Sequence, residues 1–260
     1  MCLKTEDPER DVITPAIHGT TTILNSALKS PSVRRVVITS SELAIVPSPY
    51  TSSPPNTVYT PSFRLNPLPS APWGNPSEVY QASKALALNA SERFVAEKNP
   101  HFTVVNLLPS YIIGRNELVA TSEDLRKGSN NVPLSILNGV TWPTPRPAVA
   151  VYISDVARIH VEALDEEKVK GNATFILEGK NGKEEGELVL DDAVKVAKEY
   201  FADAVKEGIL PLGGHTESAV HSMDASETVK VFGELKGYKD SVREVVEQFV
   251  ELKRKELAAN

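Results

Sequence analysis

What is scarce in this chain narrows its possibilities before any motif is considered. A single cysteine, Cys2, in 260 residues excludes an internal disulfide and any cysteine-based zinc site, and fits a reducing compartment. No run approaches the roughly 18 apolar residues of a membrane span, and Met1 to Arg10 is too polar for a secretory signal. A cytoplasmic chain with no membrane partner is expected. Blocks of Lys and Arg are missing and the formal net charge is -6, which argues against nucleic acid as a partner. Internal repeats are absent too. What is present, 41% apolar and 24% charged residues, is the composition of a globular protein with one large domain, or a domain and a lobe.

The stretch Glu78 to Leu86 holds Tyr80 and Lys84 one helical turn apart. Residues four apart share a helix face, so a phenol and an ammonium would occupy one small volume. A nearby cation favours phenolate and brings a tyrosine closer to acid/base work near neutrality. Tyr-x-x-x-Lys is a common spacing by chance in a chain with seven Tyr, so its surroundings must carry the argument.

Before it, Asp11 to Lys29 carries Ile13, Ile17, Leu24 and Leu28 at helical spacing, with Pro15 near the first turn. Val33 to Thr39 is a β-branched run that reads as a parallel strand, and Ser40 and Ser41 follow it. Ligands of open α/β sheets bind beyond the carboxyl ends of strands, so those hydroxyls stand where chemistry would be. Pro47 to Pro76 is rich in Pro, Ser, Asn and Thr, with Tyr50, Tyr59, Phe63 and Trp73 interspersed, and is expected to be a long surface loop, a lid or an insertion. A helix from Ser77 to Lys98 ends at Asn99-Pro100, and Phe102 to Leu108 reads as a buried strand closed by Pro109 and a turn at Gly114. Strand, crossover helix and strand is the pattern of a parallel sheet.

Thr39-Ser40-Ser41, then Tyr80-x-x-x-Lys84, then Asn106 to Gly114 at a strand end, resemble the extended short-chain dehydrogenase/reductases of the NAD-dependent epimerase/dehydratase superfamily. Within them the chain looks most like the dihydroflavonol-reductase-like group, which includes fungal ketone reductases. Asp11 to Leu28, Ala150 to Leu164 and Met223 to Leu257 are similar to further segments of that family. The resemblance implies an NADP-dependent oxidoreductase, with NAD as the other candidate, that reduces a ketone or aldehyde to an alcohol, in secondary metabolism. It implies that Tyr80 protonates the nascent alkoxide and that Ser41 hydrogen-bonds the carbonyl oxygen, with Ser40 in that role if the register differs by one. Lys84 would lower the tyrosine pKa and bind the nicotinamide ribose, and the stretch from Pro109 to Ile112 would pass beside the nicotinamide. A sugar epimerase or dehydratase, or a hydroxysteroid dehydrogenase, would use the same residues.

The chain also departs from that family. Its 14 Gly form no Gly-x-x-Gly-x-x-Gly turn, the element that would hold the cofactor pyrophosphate at a helix N-terminus. The expected fold is therefore an incomplete Rossmann-type parallel sheet flanked by helices, with a smaller C-terminal α+β lobe. Residues 1–115 would form the truncated Rossmann-type part and 116–260 the substrate lobe and closing helices, with some segments returning to the Rossmann-type part. A strand left unflanked at the sheet edge invites a second chain to cover it. The alternative function is a non-catalytic remnant unable to bind the dinucleotide by itself.

Signals for chemistry are sparse after Gly114. Trp142 and Pro143 to Pro147 are expected to frame a substrate pocket, Asp155 to cap or open a helix over Val156 to Leu164, and His160 to be structural. Ala173 to Leu177 reads as a strand, and Leu188 to Val205 and Ser241 to Leu257 as helices. His215 and His221 show no metal-ligand spacing.

Overall fold

A computed structural model describes residues 5–47, 57–179, 188–219 and 222–259; Cys2, Tyr50 and His221 lie outside them. The first half runs α1 (Thr14–Leu28), β1 (Arg35–Thr39), β2 (Val58–Tyr59), α2 (Pro76–Lys98), β3 (Thr103–Pro109), β4 (Ile112–Ile113), α3 (Ser122–Leu125) and α4 (Asn131–Leu137). The second half runs β5 (Arg146–Pro147), β6 (Val151–Tyr152), α5 (Ile153–Glu162), β7 (Ala173–Leu177), α6 (Asp192–Tyr200), α7 (Ala202–Lys206), β8 (Ser218–Ala219), β9 (Ser222–Met223), α8 (Ser226–Phe232) and α9 (Tyr238–Ala258).

The expected parallel sheet is present. β3 lies between β1 and β7, pairing Val37 with Val105 and Val105 with Ala173. It is buried from Val104 onward, which is why its sequence is nearly continuous in apolar residues and does not alternate. Leu24 and Ala27 of α1 pack with Phe94 of α2 and Val104 on one face, and Val156 and Ile159 of α5 pack with Val105 and Leu107 on the other. Among the described residues no strand lies beyond β1. Ser40 donates to the Leu107 carbonyl and Arg34 accepts from Thr103 N–H, so the alternating ladder turns the backbone groups of Arg35, Val37 and Thr39 outward.

The second large core gathers Leu134 and Ile136 of α4, Val196 and Ala197 of α6, and Val242, Val246 and Phe249 of α9. α9 also fixes the loop after β4. Glu244 accepts from the Arg115 N–H at 3.0 Å and from the Tyr152 hydroxyl at 2.6 Å, and Gln248 bonds both N–H and carbonyl of Asn116 at 2.8 Å. Gly114 has φ 149°, and a Cβ there would lie 2.5 Å from Ile153 Cγ2, so glycine is required at this turn.

Three expectations need correction. The Pro-rich stretch is not without structure: Val58–Tyr59 pairs with Ser222–Met223, and Tyr59 is buried at 1% exposure. A two-residue strand is too short for alternation to reveal it. The helix expected over Leu188 to Val205 begins later and breaks at Phe201, whose φ of -131° and ψ of 34° separate α6 from α7. Leu188 and Leu190 are buried, but Leu190 N–H bonds the Ser218 hydroxyl outside any helix. The helix expected over Val156 to Leu164 starts earlier, at Ile153, so of the two roles open to Asp155 it takes that of first-turn acid, accepting from Arg158 and from Lys236 N–H.

Candidate active site

The helix bearing Tyr80 and Lys84 starts where its sequence allows. Asn75 accepts from the N–H groups of Ser77 and Glu78 at 2.9 and 3.2 Å, and Pro76 takes the first position, which needs no donor. At the other end Asn99 adopts the left-handed region, φ 41°, and stops the helix. Small residues face the core: Ala82 and Ala85 are buried, and the helix packs against the turn Glu42–Ala44 that follows β1. Gln81 adds a bond from its side-chain amide to the Val46 carbonyl at 3.1 Å.

Tyr80 and Lys84 do share one volume, with the Lys84 Nζ 5.6 Å from the Tyr80 ring centroid. The tyrosine is 38% exposed. Burial lowers the Lys84 pKa below the ordinary lysine value, since taking an ammonium out of water favours its neutral form. Ser41 is buried with an extended backbone and caps the short 3-10 turn Glu42–Ala44. Its hydroxyl accepts from Leu43 N–H at 3.2 Å, which leaves its own hydrogen for another acceptor. Ser40 is bound to β3 through its backbone.

Pro109 is buried as the last residue of β3, and Ile112 is half-buried in β4, which pairs with β6. Between them Ser110 donates its N–H and hydroxyl to the Leu177 carbonyl at 3.0 and 3.2 Å. The carboxyl ends of β1, β3 and β7 thus carry Ser41, Pro109 and Glu178 in one row, with α2 packed beside the first.

Two acids at that row were not singled out by motif. Glu42 is 2% exposed and Glu178 8% exposed. Burial, and then the Glu178 charge, push the Glu42 carboxyl well above the usual carboxylate range. The available signal was a lone acid between two serines and the apolar run Leu43 to Val46. His160 reaches the end of β1: its Nδ1 bonds the Val156 carbonyl and its Nε2 meets the Thr39 hydroxyl, both at 2.7 Å.

Other features lie apart. A cavity of about 440 Å³ between the Pro-rich stretch and α2 is lined by Pro67, Trp73, Glu78 and Gln81, not by Tyr80 or Lys84. Trp142 stacks under Arg146, whose guanidinium carbon is 3.6 Å from the ring centroid. Among the described residues no His, Cys, Asp or Glu cluster could hold a metal, and no helix is long and apolar enough to cross a membrane.

No protein-family profile matches the chain. It is 33% identical over 257 residues to the ketoreductase CTB6 of Cercospora nicotianae, covering 96% of this chain and 70% of that protein. It is 37% identical over 201 residues to the NAD-dependent epimerase/dehydratase FUM13 of Gibberella moniliformis, covering 70% of this chain and 54% of that one. In structure it is similar to Gre2 from Candida albicans in complex with NADPH, with a TM-score of 0.74 at 21% identity, over 96% of this chain and 74% of Gre2. With a parallel sheet, a Tyr-x-x-x-Lys helix beside its serine-bearing strand end, and these relatives, the chain belongs to the extended short-chain dehydrogenase/reductases of the NAD-dependent epimerase/dehydratase superfamily, an oxidoreductase family.

Proposed function

We propose that this protein reduces a ketone or aldehyde to the alcohol with NADP(H). The observation that carries the reading is the Tyr80–Lys84 pair on α2, packed against the turn that presents Ser41. Ser41 donates to the carbonyl oxygen as charge develops there, which is where a fixed donor contributes most. Tyr80 delivers the proton to the same oxygen, and Lys84 stabilises the phenolate left behind. When bound, a nicotinamide cofactor would supply the hydride. The relatives named ketoreductase and the NADPH complex of Gre2 support this choice of reaction and cofactor.

The residues present fit one end of that cofactor. Lys84 is half-buried with no ion pair among the described residues, a suitable donor for ribose hydroxyls, and Pro109 to Ile112 offer an apolar flank for the nicotinamide. No glycine-rich turn in the chain cradles the pyrophosphate. In this reading residues 1–115 bind the nucleotide, 116–260 form the substrate lobe and closing helices while returning α5 and β7 to the Rossmann-type sheet, and a second chain pairs along the outward groups of β1.

The missing turn favours a second reading, in which this chain does not hold the dinucleotide by itself. Titration with NADPH and NADH, followed by nicotinamide fluorescence, separates the two. Saturable micromolar binding of NADPH that Lys84→Ala abolishes is the expected result. Absence of binding up to millimolar cofactor would sink the reductase reading for the chain on its own.

A further inference from the structure

The acid beside the serine has no role in the chemistry above, and its surroundings are unusual. Glu42 opens the one-turn helix Glu42–Ala44 directly after Ser41. Its Oε2 is buried with no hydrogen-bond partner, in the neighbourhood of the apolar cluster of Ala44, Ile45, Val46, Leu108 and Ile176. An unpaired buried carboxylate oxygen is costly, so a feature of this kind calls for an explanation. Glu178, directly after β7, is the charge that acts on it. β1 and β7 are two strand spacings apart, about 10 Å, a gap that two glutamate side chains can span over the end of β3.

We infer that Glu42 is a positioning residue for Ser41, a buried carboxyl that shares one proton with Glu178 and so seats the turn presenting the serine hydroxyl. The inference rests on the role proposed above for Ser41. Two ionised carboxylates in one buried place would repel, whereas one proton between them lets the pair hydrogen-bond. That bond ties the end of β1 to the end of β7. Loss of the proton frees the turn, and with it the Leu43 N–H that holds Ser41.

The other groups around the turn do not substitute for this proton. β3 has no titratable side chain in its span, and the first turns of α2 carry Glu78, Tyr80 and Lys84. The β2–β9 pair contributes Tyr59 and is followed by Asp224. Among the described residues burial and Glu178 are the causes of the raised Glu42 pKa. The sign follows. A carboxyl whose folded pKa is raised holds a proton that the unfolded chain releases above about pH 4.3. Its stability is complete below that value and declines as pH rises toward the folded pKa.

The test uses the full chain and needs neither cofactor nor turnover. Melting temperature and exchange of the Leu43 amide, normalised to its intrinsic rate, are followed from about pH 5 to pH 9. In the wild type both melting temperature and Leu43 protection should fall together as pH rises, protection by about tenfold, the size of one lost hydrogen bond. Glu42→Gln keeps the shape and a donor but cannot ionise, and should remove both trends. Glu42→Ala should lose Leu43 protection at every pH. A Glu42→Gln profile that follows the wild type, or a Glu42→Ala chain with Leu43 fully protected, overturns the inference. Should the chain fail to bind NADPH, these outcomes still decide it. Should it turn over, Glu42→Ala lowers kcat more than it changes KM, and Glu42→Gln restores kcat.

Discussion

Glu42 and Asn130 are both buried polar side chains beside a strand end, and their surroundings are opposite. Asn130 accepts from Gly114 N–H at 3.1 Å and donates to the Gly114 carbonyl at 2.8 Å. With Glu244 and Gln248 it closes a bracket around residues 114–116 in which the named backbone groups are paired. Glu42 keeps an unpartnered oxygen and an acid for a neighbour. A fully bonded set fixes a backbone through bonds that need no shared proton, whereas an under-bonded acid holds its segment only through one. Under this contrast, changes along the strand ends should alter chemistry more than stability, and changes in the bracket should do the reverse.

The largest expected effect breaks the chemistry alone. Tyr80→Phe deletes the proton donor from a side chain that is 38% exposed. NADPH oxidation with an accepted carbonyl substrate should slow by about 10²–10⁴-fold, the usual contribution of a positioned acid, with an unchanged melting temperature. A variant that melts lower by many degrees would mean that Tyr80 is a packing residue and that the division fails at its most important point.

Next comes the bracket. Asn130→Ala leaves the N–H and the carbonyl of Gly114 unpaired in a buried turn, a loss of about 2–3 kcal/mol. Urea denaturation should show it as a lower midpoint with the slope retained. Cofactor binding by the folded fraction should persist. If binding disappears while the midpoint stays, the bracket belongs to the site, and the loop after β4 is held for the ligand's sake.

How far these two places could be read beforehand follows from their physics. β3 was legible because burial gives it a nearly continuous apolar run, β1 and β7 because they are short β-branched or apolar runs bounded by turn residues, and α2 because Asn75-Pro76 and Asn99-Pro100 mark both its ends. Tyr80 and Lys84 were legible because helical spacing is local. The bracket was not, since Asn130 and Gly114 are 16 residues apart and Gln248 and Asn116 are 132 apart, distances over which no periodicity reaches. Glu42 was visible only as an acid in an apolar run; its partner lies beyond another strand. The expected break-free helix over Leu188 to Val205 failed for a related reason. Its apolar spacing continues through Phe201, where the backbone turns without any glycine or proline to announce it.

The smallest effect concerns Thr39, at the last position of β1, where its hydroxyl meets His160 Nε2. Because the Nδ1 of that ring bonds the Val156 carbonyl, it carries the proton there, and Nε2 accepts from Thr39. The hydroxyl is exposed, so Thr39→Val should cost about 0.5–1 kcal/mol, near the low end for a single hydrogen bond, and should leave both kcat and cofactor binding as they are. His160 is then a structural histidine that ties α5 to the edge strand, as its lack of an acidic or serine partner in sequence suggests. A fall in kcat in Thr39→Val with an unchanged melting temperature would give the opposite result: the strand that leads into Ser40 and Ser41 would be positioned through α5 as well as through Glu42, and the row of strand ends would be tuned from both faces of the sheet.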